Sequence, residues 1–570
     1  MLFERLSAHG RGKMALKKLV FAAVLAAAML ACAHGRAQDV AQADDAQKWA
    51  ATVAELGARS TRSAGEQLRY ATALARMGRA DEAARAFEAG RRMVPHDARF
   101  AVELAGLEFQ QKKYARAAAL LRVAVKLEPK DTYANDFLAT VYFLEGNIEA
   151  ALKYWNRAGK PRVGAVRVEP EPRVDAALLD RAFAFAPATT MTQEQYLDTQ
   201  TRVAAMGIFP RPQFDLRARD VGDFDVVMRA AERNGLGDSK LEVLVGLLHA
   251  APFEAVTVDA YNLRRRAINV TSMVRFDTNK RRLNAELSGP LDARARFRYE
   301  ARLDLRNENW AVRDGFTGDA PVLASLNLRR EAGSLAVRSD RSDRLQWRVG
   351  GEVSARDNRN VAAGTALTPE LLASGVELKQ TAEACGALLR VPERRLVLTG
   401  TAREEAARVW STPRSSFTRL SGELAARWMP QAEGDDYAVE DHLRAGRTFG
   451  AVPFDELKML GLERDNDLPL RAHIGTRDGK KGAAPLGRNY LANTWEMDKN
   501  VWGNGLMAVA LGPFADAGAM ADDNPALGSH KWLADVGGQV KLRVFSTRVA
   551  FSYGKDLRSG NNAFYVTLLP

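Results

Sequence analysis

The sequence predicts a multidomain chain: an all-α helical array, then a small α+β unit, then a C-terminal transmembrane antiparallel β-barrel of about 16 strands. Three observations lead there. Pro95 and Pro129 stand 34 residues apart, with small and apolar residues in matching places ahead of each. Beyond residue 174 a helical pattern is flanked by alternating stretches. From Arg294 to Arg306 the chain reads RARFRYEARLDLR, which puts Ala295, Phe297, Tyr299, Ala301, Leu303 and Leu305 on one face of an extended strand. Arg294, Arg296, Arg298, Glu300, Arg302, Asp304 and Arg306 fall on the other face. A period of two is a strand. Taken alone this segment also fits a half-buried strand of a soluble sheet, so the repetition decides. Leu345, Trp347, Val349 and Val353 alternate with polar neighbours, as do Ile268, Val270, Val274 and Phe276. An apolar outside and an ionic inside, repeated to the C-terminus, suit a closed membrane barrel with a watery lumen.

In chain order, 570 residues are too many for one domain. The formal charge of +12 raises nucleic-acid binding, but the arginines are spaced singly along strands and form no patch. Lys17 and Lys18 precede the apolar run LVFAAVLAAAMLACA, so residues 1–37 form a secretory signal peptide, with Met14 an alternative start and cleavage after Ala33 or Ala37. That run is short for a membrane helix and no later run reaches about 18 apolar residues, so any insertion uses strands. Cys32 lies within the signal, in a loose approximation to an acylation site, and Cys385 lies in a strand, which leaves no intrachain disulfide framework. The seven histidines lack ligand spacing, and neither a metal, a cofactor nor a catalytic residue set is expected. GTRDGKKG, from Gly475, lacks phosphate-loop spacing and is expected to be a solvated loop.

Residues 38–60 are a linker or irregular helix. The repeat covers 61–160: Gly78, Ala83, Phe87 and Pro95, then Leu104, Ala117, Leu121 and Pro129, then Leu138, Tyr142, Gly146, Ala151 and Trp155. A plain helical bundle would share some of this pattern, but three units in register resemble a tetratricopeptide (TPR) array. In such an array small residues let two helices approach and Pro ends the second. TPR arrays bind peptides or proteins on a concave surface, which implies a periplasmic protein partner.

The prolines of PRVGAVRVEPEPRV mark residues 161–173 as a linker. In 174–235, LLDRAFAFAP is a strand candidate, TMTQEQYLDTQTRVAAMGIF a capped helix, and PQFDLRAR and DFDVVMRAAER alternating strands. Met206, Gly207, Ile208 and Phe209, then Phe214, Leu216, Phe224, Val226, Met228 and Glu232, resemble a POTRA domain, a periplasmic module that binds client segments by strand addition.

Residues 240–570 read as strands, turns and loops. LPLRAHIG, with Arg471, followed by GPFADAG, with Phe514, Asp516 and Gly518, is similar to the barrel of the BamA/TamA superfamily (bacterial surface antigen type) of outer-membrane assembly and secretion channels. The resemblance implies a loop folded into the lumen, with Arg471 meeting Asp516 in the strand motif. A guanidinium in a narrow lumen needs such a fixed carboxylate. Ala472 and His473 replace that family's glycine and aromatic, and the chain ends FYVTLLP in place of a terminal aromatic. The alternative is that Arg471 and Asp516 are unrelated charges on solvated loops. The implied function is outer-membrane protein insertion or polypeptide translocation without covalent chemistry. Protein clients and outer-membrane lipid are the partners, and the N-terminal domains lie in the periplasm. A passive pore or an envelope scaffold with a TPR arm is the alternative.

Overall fold

The computed structural model describes residues 38–569 apart from 211, 221–222, 238–253, 293–295, 316–319, 432–435, 505–506 and 545–546. The expected signal, with Cys32, Ala33 and Ala37, lies outside the described residues, as do Arg294, Ala295 and the expected barrel start at 240. The chain forms two compact units. The first runs through Glu169 and includes Phe185–Tyr196 and Gln213–Arg229; the second comprises Pro170–Ala184, Leu197–Pro212 and the chain from Ala230 onward.

Seven helices open the first unit: α1 (Gln38–Gly57), α2 (Ala64–Arg76), α3 (Ala80–Met93), α4 (Ala98–Gln110), α5 (Tyr114–Leu127), α6 (Thr132–Leu144) and α7 (Ile148–Trp155). α1 is a regular helix across most of the segment expected to be irregular. The 34-residue period is visible in the local chemistry. Ser63, Asp97 and Asp131 each cap the first helix of a hairpin, their side-chain oxygens accepting a backbone N–H that the helix leaves unpaired. Between the helices of each hairpin Gly78, Lys112 and Gly146 take the left-handed conformation, at φ 74°, 61° and 70°. Ala83, Ala117 and Ala151 are fully buried one turn later, followed by Phe87, Leu121 and Trp155. Leu104 and Tyr142 are buried from the first helices, and Pro95 and Pro129 follow the ends of α3 and α5. Gly90 admits the Phe100 ring against the α3 backbone, where any Cβ would overlap it.

Strands β1 (Arg162–Glu169), β2 (Gln213–Asp220) and β3 (Asp223–Arg229) form a sheet in the order β1-β3-β2, with β1 parallel and β2 antiparallel to β3. Two expectations are corrected here. The segment 161–173 is no linker, because Pro161, Pro170 and Pro172 bound a strand and do not interrupt it. LLDRAFAFAP is no strand: it holds helix α8 (Ala176–Ala182), started by Asp175, whose carboxylate accepts from the Ala177 and Leu178 N–H groups. With α9 (Gln193–Ala205) the order is β-α-α-β-β. Phe214, Leu216, Phe224, Val226 and Met228 are buried in the sheet of the first unit. In the second unit the end of α9 and Glu232 are held to the first barrel strands. Asn269 donates to the Met206 carbonyl at 2.9 Å, and the Glu232 carboxylate accepts from Arg173 N, Val174 N and Asn262 Nδ2 at 2.6–2.8 Å.

The wall of the second unit begins with β4 (Ala255–Thr257) and β5 (Ala260–Leu263), both paired to β6 (Ile268–Phe276). There follow β7 (Lys280–Pro290), β8 (Arg298–Arg313), β9 (Val322–Ser339), β10 (Gln346–Arg359), β11 (Gly375–Val391), β12 (Leu396–Ser411), β13 (Ser415–Trp428) and β14 (Tyr437–Gly450). A long loop carries the two-residue strands β15 (Lys458–Met459), β16 (Thr476–Arg477), β17 (Lys480–Lys481) and β18 (Leu486–Gly487). The wall resumes with β19 (Asn489–Gly503), β20 (Met507–Ala521), β21 (Leu533–Val544), β22 (Thr547–Asp556) and β23 (Asn562–Leu569). Antiparallel ladders join every neighbour, β14 pairing directly with β19. Among the described residues no paired register links β23 to β4–β6, so the closed ring expected from the alternation is seen as a continuous ladder with one seam. Eighteen named strands make up this sheet; without the loop fragments β16 and β17 they are the sixteen expected.

The two faces of the wall are inverted relative to a soluble protein. On β11, Glu377 and Lys379 are 0% and 7% exposed, whereas Val376 and Leu378 between them are 45% and 51% exposed. β10 repeats this, with Ser354 and Arg356 buried and Val349 and Val353 outside. On β8 the strand begins at Arg298; Arg298, Glu300 and Asp304 are buried and Leu303 is exposed. Buried charge behind exposed aliphatic surface is what lipid selects and water does not. Cys385, in β11, is a free thiol. Among the described residues no helix is long and apolar enough to cross a membrane.

Candidate functional site

The loop between β14 and β19 turns inward, and its own bonding explains why it holds a shape. β15 pairs with β18, Leu462 N donates to the His473 carbonyl at 2.6 Å, and Gly475 N returns a bond to the Leu462 carbonyl at 2.7 Å. Gly461 sits where its own Cβ would overlap Ala484 and the His473 carbonyl. Leu460, Leu468 and Leu470 pack with Ala492, Met520 and Leu533 of the wall, and Phe454, Met459 and Leu486 pack with Leu326 and Leu328. The result is a compact loop with apolar seats.

Between these seats the loop meets the wall with charge. The Arg471 guanidinium grips the Asp516 carboxylate bidentately, Nε to Oδ2 at 2.9 Å and Nη2 to Oδ1 at 2.6 Å. Its remaining nitrogen Nη1 donates to Glu496 at 2.8 Å and to Gln539 at 2.9 Å, and the plane lies 3.9 Å from the centre of the Phe514 ring. The backbone N–H of Arg471 also donates to Asp516, at 2.9 Å. Phe514, Asp516 and Gly518 occupy alternate positions of β20 and are all buried. At Gly518 a Cβ would stand 3.1 Å from Leu460, so the missing side chain makes room for the loop. Gly554 of β22 does the same for the Arg471 carbonyl, which a Cβ would meet at 3.0 Å.

Beyond Arg471, Ala472 N and the His473 ring bond the Asp535 carboxylate at 2.6 and 2.9 Å. Towards the other side of the wall the loop supplies carboxylates and the strands supply cations. Asp455 receives Arg330 and Arg356 at 2.9 and 2.6 Å, and Glu456 receives Lys379 at 2.8 Å. Asp465 receives Arg282 at 2.9 Å and the loop's own Lys481 at 2.7 Å; Lys481 also reaches Glu308 at 2.8 Å. A cavity of about 540 Å³ remains between them, lined among others by Arg302, Arg306, Arg403 and Lys458. GTRDGKKG is therefore not a solvated loop: it forms the β16–β17 hairpin, turning at Asp478 and Gly479, and its Lys481 is 3% exposed.

Of these partners the motif carried only Arg471, Phe514, Asp516 and Gly518. Glu496, Gln539, Asp535 and Asp556 had a weaker signal, their alternation with apolar neighbours on β19, β21 and β22, which places them inside without naming a partner. Asp455, Glu456 and Asp465 had none beyond the charge density of the loop.

A family model described as tetratricopeptide repeat matches residues 68–134. With the period in caps and turns above, the N-terminal helices are tetratricopeptide repeats. No curated protein matches the chain. Among solved structures it is similar to BamA of Haemophilus ducreyi lacking POTRA domains 1–3, at 11% identity and a TM-score of 0.39 over 71% of this chain and 83% of that one. It is also similar to CdiB of Escherichia coli, at 12% identity and a TM-score of 0.43 over 71% and 74% of the two chains.

Proposed function

We propose that this chain is an outer-membrane machine of the BamA/TamA type that inserts or translocates other polypeptides. The observation that supports this reading best is the inward loop, fixed to the wall by the Arg471–Asp516 pair. A barrel serving only as an open pore has no need of a folded plug, whereas a barrel that must stay sealed until a client arrives does. The tetratricopeptide array, with the β-α-α-β-β unit read as a POTRA-like domain, is the client-catching arm in the periplasm. Backbone groups left unpaired in lipid each cost several kcal/mol, so a client strand pairing at the first and last wall strands is favoured over one left bare. No covalent step is involved and no cofactor is called for.

Depletion followed by quantitative proteomics of the outer membrane tests this. Loss of many outer-membrane proteins is expected for insertion, and loss of one exported polypeptide for translocation. Loss of a single solute permeability with an unchanged proteome would instead establish a passive pore and refute the proposal. Co-purification with and without residues 60–160 identifies what the tetratricopeptide arm holds.

A further inference from the structure

Asp516, Asp535 and Asp556 form one row across three adjacent wall strands, Asp516 paired in register with Asp535 and Asp535 with Asp556. All three side chains are inaccessible to solvent. Like charges directly opposite one another in a sheet repel, and buried carboxylates need a compensating charge. Arg471 supplies it for Asp516 and is shared with Glu496. For Asp535 and Asp556 the facing group is His473, itself fully buried, whose ring touches Asp535 at 2.9 Å and stands 3.9 Å from Asp556.

We propose that His473, Asp535 and Asp556 bind a divalent cation of the zinc class, which ties the tip of the inward loop to β21 and β22. One donor atom from each residue lies within 4.8 Å of the other two. The 3.9 Å between His473 Nε2 and Asp556 Oδ2 is too long for a hydrogen bond. It is close to the spacing of two ligands that share an ion held at about 2.0–2.2 Å from each. Independently, Asp535 Oδ1 is buried with no hydrogen-bond partner, whereas Oδ2 of the same carboxylate accepts from Ala472 N and the His473 ring. An oxygen in that position is costly unless a cation takes it. One imidazole and two carboxylates make a nitrogen–oxygen donor set suited to zinc, with a fourth position left for water. The supporting shell is present: Asp556 is held by the N–H groups of Arg558 and Ser559 at 2.9 and 3.1 Å and by the Ser559 hydroxyl.

This inference stands apart from what the barrel transports, because its test reads metal and not clients. Full-length protein in detergent, stripped with a chelator, is titrated with zinc. Bound metal is measured by elemental analysis and barrel unfolding by loss of the β-sheet circular dichroism. About one zinc per chain is expected, together with a raised unfolding temperature. His473→Phe and Asp556→Asn should each weaken binding by at least tenfold and abolish the temperature rise, while His442→Phe, at the other wall histidine with a carboxylate partner, leaves both intact. If His473→Phe fails to fold, cobalt loading of the wild type and of Asp556→Asn replaces it: visible ligand-field bands are expected in the first and not in the second. Equal zinc binding by the variants, absence of cobalt bands in the wild type, or an unfolding temperature indifferent to zinc would overturn the site and leave an imidazolium–carboxylate contact.

Discussion

Removing Arg471 is the perturbation whose consequence the geometry constrains most closely. Its guanidinium is the bidentate partner of Asp516, whose side chain has no solvent access, and it also reaches Glu496 and Gln539. In Arg471→Ala the Asp516 carboxylate keeps no cation, and Glu496 falls back on Lys541, with which it is already paired. One unmatched buried charge costs about 3–5 kcal/mol. Asp516→Ala is milder, because the arginine keeps Glu496 and Gln539, and about 2–3 kcal/mol is expected from the lost charged hydrogen bonds. Since both changes break one interaction, the double variant should be scarcely worse than Arg471→Ala alone, a coupling of at least about 2 kcal/mol. Arg471→Lys restores charge without the fork and should fall between. The assay is denaturant unfolding in detergent, paired with limited trypsin digestion in the native state, where a released loop is cut at Arg464, Arg477 or Lys480. Additive losses, or a loop equally resistant in wild type and Arg471→Ala, would refute the reasoning that this pair pins the loop.

Leu303→Arg should cost about 2–4 kcal/mol at mid-membrane, whereas Arg302→Gln should cost under about 1 kcal/mol, since its ion pair with Glu286 is solvent-accessible; the reverse order in lipid-reconstituted unfolding would mean Leu303 does not face lipid. Gly554→Val should displace the loop backbone and raise trypsin sensitivity to the level of Arg471→Ala, because a Cβ there meets the Arg471 carbonyl at 3.0 Å. Gly90→Ala gains about 1 kcal/mol of helix propensity but forces the Phe100 ring away, and a net loss of about 1–2 kcal/mol in the helical thermal transition is expected. Protease added to intact cells should spare residues 38–235; cleavage within the tetratricopeptide array without permeabilisation would place that arm outside the cell.

What was legible from the sequence depended on whether a residue's partner lay nearby in the chain. Helical repeats and wall strands are bound to sequence neighbours, so Pro95, Pro129 and the alternation at Leu303 were enough to give both. The strand at Arg162–Glu169 was hidden because prolines on either side of it were taken as breaking it. Helix α8 was hidden because Phe183 and Phe185 suggested alternation, while the cap at Asp175 set the backbone. The loop's ionic partners were out of reach for another reason: Asp455 meets Arg330 across 125 residues and Glu463 meets Arg275 across 188, and charge alone carries no address over such distances.

That same separation sets an order of events. Each wall strand from β6 to β14, and again from β19 to β23, pairs with its neighbour in sequence, so the ladder grows by short closures of low contact order. The inward loop is different, for its seats on β6, β9, β20 and β21 exist together only once the wall has curled. Its docking is therefore a late event, after the main barrier. Interactions formed after the barrier leave the rate of assembly nearly unchanged and govern the rate of coming apart. The charged contacts of the loop thus act as a kinetic latch, whose loss shortens the lifetime of the folded barrel far more than it slows its formation.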